Sequence, residues 1–294
     1  MKTKALLLTL MILVAFACSN DDNGPVEQEE QVEYKIKKVI KNSVTPGEWS
    51  QELLFDQDGR LIEDVEIIDS DGTTYYISNK FSFNENNKIT ERMRYVNGEL
   101  SGESYHFEYD TANRLIKIVS VEGGNSIDRY VFEYNGDKMK MINLLGGGGF
   151  NEYTFDNSNK IIQVETQSGG TGGESYLLSL NYSQENLISM LSVQQNCSNC
   201  SESETSIVYD NKYNPLFENF GNIFFYFSLA NPFSEYYRDH FSPDNVISLS
   251  VEYNNGNSVT YDNEIIYNDA EYPTYIKQFK DGVFYRELNF EYYE

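Results

Sequence analysis

The chain of 294 residues is short of several residue types on which whole classes of function depend. It has two histidines, three cysteines and one tryptophan. Two histidines leave little material for histidine-based catalysis or for a histidine-rich metal site. Basic residues are also scarce, with 22 Lys and Arg against 46 Asp and Glu and a formal net charge of −24. Because so acidic a chain repels phosphate backbones, nucleic acid is excluded as a partner.

Aromatic residues, by contrast, are abundant. The chain has 24 Tyr and 18 Phe, and 40% of its residues are hydrophobic. That hydrophobic content is too high for a disordered chain, and an excess of Tyr, Phe, Ile and Val is typical of β-strands. Segments with a helical period are nearly absent. The composition therefore predicts an all-β globular protein.

Residues 1–17 resemble a signal peptide. Lys2 and Lys4 give a positive start, and residues 5–16 form an uncharged, mostly apolar run. As a helix this run would span roughly 18 Å, which is short of the ~30 Å bilayer core. Small residues then precede Cys18, a pattern that resembles a bacterial lipoprotein signal, in which Cys18 would be lipidated and become the mature N-terminus. The alternative is an ordinary secretory cleavage site.

Residues 18–33 have the composition of a flexible tether. From residue 19 onward they contain six acidic residues and no basic one, so they cannot bury enough apolar surface to fold. An acidic cluster after a lipidated cysteine also looks like the surface-export signal of Bacteroidetes lipoproteins. The resemblance implies an outer-membrane protein held by its lipid anchor and exposed at the cell surface, with the periplasmic face as the alternative. The membrane would then be a partner through the anchor alone.

From residue 34 onward the chain repeats itself with a period near 26 residues. Each copy ends a strand with an aromatic residue, and these anchors are Phe55, Phe83, Tyr109, Tyr134, Phe155, Tyr182, Tyr209, Phe241 and Tyr267. An Asp or Asn follows most anchors, and its side chain can cap a turn. Three residues later comes a type that tolerates the left-handed conformation, as at Gly59, Asn87, Asn113, Asn159, Asn186 and Asn245.

Each period therefore predicts one β-hairpin. We expect residues 34–294 to form a single domain, a long antiparallel meander of about 18–20 strands curled into a barrel or a rolled shell. Tyr105, Phe107 and Tyr109 would line the core, opposite His106 and Glu108.

The same alternation assigns three arginines to the solvent side. Arg129 would lie opposite the aromatic residues of its strand, and Arg92 and Arg94 would meet water on the face opposite the core. Charges on that face argue against lipid contact and so against a membrane-spanning pore.

The repeat also carries a resemblance to known families. Copies such as Tyr109-Asp110-Thr111-Ala112-Asn113-Arg114-Leu115 are similar to the YD repeats of Rhs-type β-shell proteins. They look closer to uncharacterised Bacteroidetes lipoproteins, including a family described as having a porin-like β fold. The resemblance covers roughly residues 50–294 and implies a lipid-anchored envelope protein.

Cys197 and Cys200 form the one close cysteine pair. In an exported protein this pair predicts a small disulfide at a loop tip, whereas zinc or redox chemistry would need a context that is missing. Residues 56–59 resemble a fragment of a calcium loop, but they fall on the turn of the repeat. We therefore predict no metal and no cofactor.

Residues 217–240 break the period and are rich in aromatic side chains. The segment would either cap an open end of the sheet or line an aromatic pocket. The candidate binding residues are Phe224, Tyr226, Phe233, Tyr236 and Tyr237.

No catalytic signature stands out, so no catalytic residue is assigned. The leading hypothesis is a non-catalytic binding or scaffolding protein whose ligand is unknown, with a glycan or an envelope protein as candidate partner. The alternative is a secreted hydrolase that acts on an extracellular polymer through acidic residues.

Overall fold

The computed structural model describes residues 34–43, 49–70, 72–145, 148–169, 174–197, 200–217 and 242–293. These residues form 18 β-strands and a single helical turn at 215–217. The strands are β1 (Ile36–Ser43), β2 (Trp49–Phe55), β3 (Leu61–Ser70), β4 (Thr73–Phe83), β5 (Ile89–Val96), β6 (Glu99–Tyr109), β7 (Leu115–Glu122), β8 (Asn125–Asn135), β9 (Lys138–Asn143), β10 (Phe150–Phe155), β11 (Ile161–Gln167), β12 (Ser175–Ser183), β13 (Asn186–Gln195), β14 (Glu202–Tyr213), β15 (Asp244–Tyr253), β16 (Ser258–Tyr267), β17 (Pro273–Lys280) and β18 (Val283–Tyr292). No helix of the described residues is long and apolar enough to cross a membrane.

Every strand pairs antiparallel with its neighbours in the sequence, and β1 also pairs with β18. At this seam Val39 lies opposite Phe290, and Lys41 lies opposite Leu288. The meander therefore closes into a β-barrel, which confirms the predicted fold class and selects the barrel over the rolled shell.

The barrel has two ends that differ in their turns. The Asp and Asn turns of the repeat lie at one end, called here the turn end, where the described chain also enters at Tyr34 and leaves at Tyr293. The other end, called the rim, carries glycine turns with positive φ, such as Gly72, Gly98 and Gly124.

The turns at the turn end confirm the predicted capping. Asp110 Oδ1 accepts hydrogen bonds from the backbone N–H groups of Ala112 and Arg114, and Asn113 closes the turn with a φ of 59°. The same bonds recur at Asp56, Asn84, Asp156 and Asn268.

Two of the predicted left-handed positions are wrong. Asn186 begins β13, because this hairpin closes with a two-residue turn in which Gln184 takes the positive φ. Asn245 lies within β15, where its buried side chain donates to the carbonyls of Lys212 and Tyr213.

A one-residue bulge follows six of these turns. Phe83 pairs with Ile89 but Ser82 pairs with Glu91, so Thr90 has no partner across the hairpin. The unopposed residues in the six hairpins are Ile62, Thr90, Ile116, Ile162, Ile188 and Thr274. Beyond each bulge the inward and outward positions exchange, because the side-chain period of a strand is two.

Three predicted orientations are wrong, two of them because of this exchange. Arg92 pairs with Phe81 and Tyr105, and Arg94 pairs with Asn79, so both lie on the inner face. A second irregularity, between Ile118 and Val119 of β7, skips Arg129, whose guanidinium reaches the inward-facing Tyr105. The prediction that these arginines meet water on the outer face is therefore wrong.

The predicted aromatic core face is confirmed. Tyr105 is buried, and Phe107 and Tyr109 pack against the first of two apolar clusters in the interior. That cluster spans β6–β16, and the second spans β1–β5, β17 and β18 together with Leu216. Phe107 packs against both clusters.

Tyrosine hydroxyl groups join neighbouring hairpins at the turn end. Each donates a hydrogen bond of 2.6–2.9 Å to a backbone carbonyl at the start of a strand of the preceding hairpin. The pairs are Tyr109 to Ile89, Tyr134 to Leu115, Tyr209 to Leu187, and Tyr292 to Pro273. The repeated tyrosine thus supplies a polar link as well as apolar surface.

We expect Tyr134→Phe to lower the free energy of unfolding by about 1 kcal/mol, because it removes this bond and keeps the ring. Equilibrium denaturation measures the change. The control is Tyr253→Phe, since the Tyr253 side chain is 41% exposed, and it should change stability by less than about 0.5 kcal/mol. Equal effects of the two substitutions would contradict the structural role of the hydroxyl.

Candidate functional site

The binding residues predicted in the aromatic insertion, Phe224, Tyr226, Phe233, Tyr236 and Tyr237, lie outside the described residues, as does Cys18. Cys197 and Cys200 lie at the rim, where their sulfur atoms form a disulfide and their Cα atoms are 5.2 Å apart. Asn254 of the next rim turn donates a hydrogen bond to the Cys200 carbonyl at 2.9 Å. The disulfide therefore lies in a rim loop that is hydrogen-bonded to the next rim turn.

A polar band crosses the inner wall between the second apolar cluster and the rim. We call it the inner belt, and it consists of Lys41, Gln51, Asp64, Arg92, Arg94, Glu103, Tyr105 and Arg129. Strand pairing places Asp64, Asn79 and Arg94 in one row across three strands. A second row runs from Phe81 through Arg92 and Tyr105 to Ser120. The belt is therefore built on β-strands, which hold side chains more rigidly than loops do, and Arg94 and Arg129 lie at irregularities in the strand pairing.

Glu103 is the centre of the belt. Its Oε2 lies 3.1 Å from Arg94 Nη1, and its Oε1 lies 3.8 Å from Arg92 Nη2. The Tyr105 hydroxyl donates a 2.7 Å hydrogen bond to the same Oε1. Burial alone would raise the pKa of Glu103, but the hydrogen bonds from Tyr105 and Arg94 and the charge of Arg92 lower it below its ordinary value.

Tyr105 connects this carboxylate to a third arginine. Arg129 Nη1 donates to the Tyr105 hydroxyl oxygen at 2.7 Å, while the Arg92 guanidinium lies 4.1 Å from the centre of the Tyr105 ring. Burial, followed by the hydrogen bond to Glu103, raises the pKa of Tyr105 to about 12. The hydroxyl therefore stays protonated and acts as a fixed donor near neutral pH.

Asp64 is the most perturbed carboxyl group of the belt. Burial raises its pKa to about 6, against a lowering effect of the 2.8 Å hydrogen bond that Gln51 donates. Glu66 raises the pKa further, and the nearby charges of Lys41 and Arg92 lower it. Asp64 thus changes its charge close to physiological pH.

Water reaches the belt. The side chains of Arg92, Glu103 and Arg94 are 19%, 24% and 38% exposed. Lys41, deeper in the wall, is 1% exposed. A small molecule could therefore contact the arginines while leaving the apolar clusters dry.

The outer wall has a different character. Ion pairs cross between neighbouring strands at positions that alternate with inward-facing residues, as in Lys38–Glu52, Lys80–Glu63, Lys117–Glu108 and Lys138–Glu152. A wall in contact with lipid carries an apolar band instead. This part of the described surface is therefore suited to water.

Chemically, the belt can hold an anion, because guanidinium groups bind carboxylate and sulfate with paired hydrogen bonds. In the described part of the chain, no group of three or more His, Cys, Asp and Glu side chains is placed to hold a metal ion. Asp56, the first residue of the calcium-like fragment, caps its own turn instead.

Sequence reasoning missed this site, because it assigned Arg92 and Arg94 to the outer face. One signal was present in the sequence. The repeat places two branched apolar residues together after most turns, as in Leu61-Ile62, Leu115-Ile116 and Leu187-Ile188. The first is buried and the second is the outward bulge residue, exposed at Ile62 and Ile188. Such a pair marks the exchange of faces.

No protein-family model and no curated relative matches the sequence. Among solved structures, the barrel is similar to a porin-like protein from Bacteroides uniformis ATCC 8492, with 10% identity, a TM-score of 0.48, and coverage of 88% of this chain and 98% of that chain. It is also similar to part of the TcdB2-TccC3 structure, at 12% identity and a TM-score of 0.36, over 81% of this chain and 12% of that one. These likenesses are weak, and the assignment as a closed antiparallel β-barrel rests on the strand pairing.

We expect Asp64→Asn to become more stable relative to the parent protein as pH rises. The carboxyl pKa is 3.8 in the unfolded chain and about 6 in the barrel, so the folded protein retains a proton that the unfolded chain loses. Stability from this group is present below pH 4 and is lost as pH rises through 6.

The free energy of unfolding of Asp64→Asn, taken relative to that of the parent protein, should therefore increase by at most about 3 kcal/mol from pH 4 to pH 7, as measured by equilibrium denaturation. Asp69→Asn, which removes an exposed carboxylate, is the control. A difference in the free energy of unfolding that stays constant over this range would refute the burial argument.

Proposed function

We propose that the protein is a lipid-anchored cell-envelope protein with a non-catalytic binding role, and that the inner belt holds its ligand, a glycan. The observation that carries the proposal is the contrast between two parts of the inner wall, the polar inner belt and the apolar cluster next to it. The belt presents three arginines on rigid strands, where they are reached by solvent. Beneath it lies a dry apolar cluster that supports the strands.

The anchor part of the proposal rests on the sequence around Cys18. The chain enters the barrel at Tyr34, at the turn end, and the inner belt lies toward the rim. The ion-paired outer wall supports attachment through acyl chains, with the barrel itself in water.

A second candidate function is hydrolysis of an extracellular polymer. The observation in its favour is that two carboxyl groups of the belt have pKa values shifted in opposite directions, raised at Asp64 and lowered at Glu103. Such pairs serve as acid and base in glycoside cleavage. We rank it second because Glu103 is engaged by two arginines and Tyr105, which leaves it poorly placed to act as a base or nucleophile.

A glycan array probed with the full chain, together with turnover assays on the same polymers, separates the two functions. The binding role predicts retention on some glycans without chain cleavage. Cleavage that Asp64→Asn abolishes would overturn our ranking and establish the hydrolase. If no glycan on the array is retained, the proposed glycan-binding role is wrong.

We expect Cys18→Ser to release the protein from the membrane. Acyl chains would attach it to the bilayer, because one buried CH₂ contributes ~0.8 kcal/mol and the described outer wall carries ion pairs such as Lys38–Glu52. Membrane flotation and labelling with a fatty-acid analogue measure the effect.

The control for the anchor is Cys197→Ser together with Cys200→Ser, which removes the other two cysteines and should leave the protein in the membrane fraction. Retention of Cys18→Ser in that fraction would show that the anchor argument is wrong.

A further inference from the structure

Three guanidinium groups converge on one side of the barrel interior. Arg92 and Arg94 both approach Glu103, and Arg92 and Arg129 lie 4.1 and 5.3 Å from the centre of the same Tyr105 ring. They come from β5 and β8, with β6 and β7 between these strands. The convergence is thus a product of the tertiary fold.

The cluster is positively charged inside an acidic protein. Basic residues are outnumbered about two to one in the whole chain. Yet here, in the described part of the interior, two arginines contact the Glu103 carboxylate and a third, Arg129, contacts the Tyr105 hydroxyl that donates to it. Burial lowers the pKa of Arg92, and the neighbouring charges of Arg94 and Arg129 lower it further. Holding these like charges together costs stability, and an anion would relieve that cost.

The donors of the cluster are fixed before any ligand arrives. Glu103 orients Arg94, and the Tyr105 hydroxyl orients Arg129. Arg94 and Arg129 retain exposed or half-exposed side chains. Donors that are already oriented bind more tightly, because less conformational freedom is lost on binding.

An aromatic surface lies on the same inner wall, closer to the rim. Trp49 pairs with Ile68, and Ile68 pairs with Tyr75, so the three side chains form a row across β2, β3 and β4. Trp49 and Ile68 are half-buried and Tyr75 is exposed. Rings of this kind offer flat apolar area with a polar edge, on which the apolar face of a sugar can pack.

From this arrangement we infer that the inner wall binds an acidic oligosaccharide, whose carboxylate or sulfate groups contact Arg94 and Arg129 and whose other sugar rings extend along the wall toward Tyr75 and Trp49. The inference rests on the proposed binding function and specifies its ligand class. A uronic acid and a sulfated sugar present the same chemistry to the arginines, namely a planar or tetrahedral oxyanion.

The test is isothermal titration of the full chain, purified in detergent, with three oligosaccharides of matched length. They are an oligogalacturonate, a sulfated dextran oligomer and an uncharged dextran oligomer. We expect one or both acidic oligomers to bind at least tenfold more tightly than the uncharged one, and to weaken as salt rises from about 0.05 M to about 0.5 M. If only one of the two acidic oligomers binds, its anionic group, carboxylate or sulfate, is the one that the arginines recognise.

Substitutions locate the site. Arg94→Gln and Arg129→Gln should each weaken acidic binding by about ten- to a hundredfold, the range of a hydrogen bond to a charged group. Arg94→Lys, which keeps the charge but loses the paired donors, should fall between Arg94→Gln and the parent protein. Lys80→Gln removes the same charge from the outer wall and should change affinity less than twofold.

The failures of the two proposals are distinguishable. If uncharged and acidic oligomers bind equally, or if Lys80→Gln weakens binding as much as Arg94→Gln does, the acidic-saccharide inference is wrong while the binding function stands. If no oligomer binds and the glycan array is also blank, both are wrong. Circular dichroism and thermal unfolding of each variant confirm that lost affinity is not lost folding.

Discussion

The one-residue bulge after the repeated turns is the constraint on which the rest of the barrel depends. It places the first apolar residue of the departing strand in the core and turns the second outward, as at Leu61 and Ile62. Every later side chain of that strand then changes face relative to simple alternation. Without the bulge in β5, Glu91 would face inward and Arg92 would face the solvent.

Much of the fold could be predicted from the sequence, because its signals are local. Asp110 and Asn113 predict their turn by their own side-chain chemistry, and the period near 26 predicts a meander of about the observed number of strands. The site could not be predicted in the same way. Arg94 and Arg129 come to the same part of the inner wall only through the bulges in β5 and β8 and the pairing of the four strands β5–β8. No local sequence pattern predicts that combination.

The outer and inner faces of the barrel wall differ in how their charged side chains are arranged. Its outer surface pairs lysines with carboxylates between neighbouring strands. Its inner belt holds three arginines close to Tyr105 and Glu103. Because the whole chain carries a formal net charge of −24, we propose that selectivity for an acidic ligand comes from the arginines of the inner belt.

The seam between β1 and β18 sets the order in which such a barrel can assemble. Every other strand pair joins neighbours in the sequence, whereas the seam joins residues such as Asn42 and Glu287, which are 245 positions apart. Closing so long a loop costs more entropy than forming any hairpin, so the seam is expected to form last during folding and to open first during unfolding. Until it closes, the meander presents two unpaired strand edges, and this brief interval is when the chain is most exposed to aggregation.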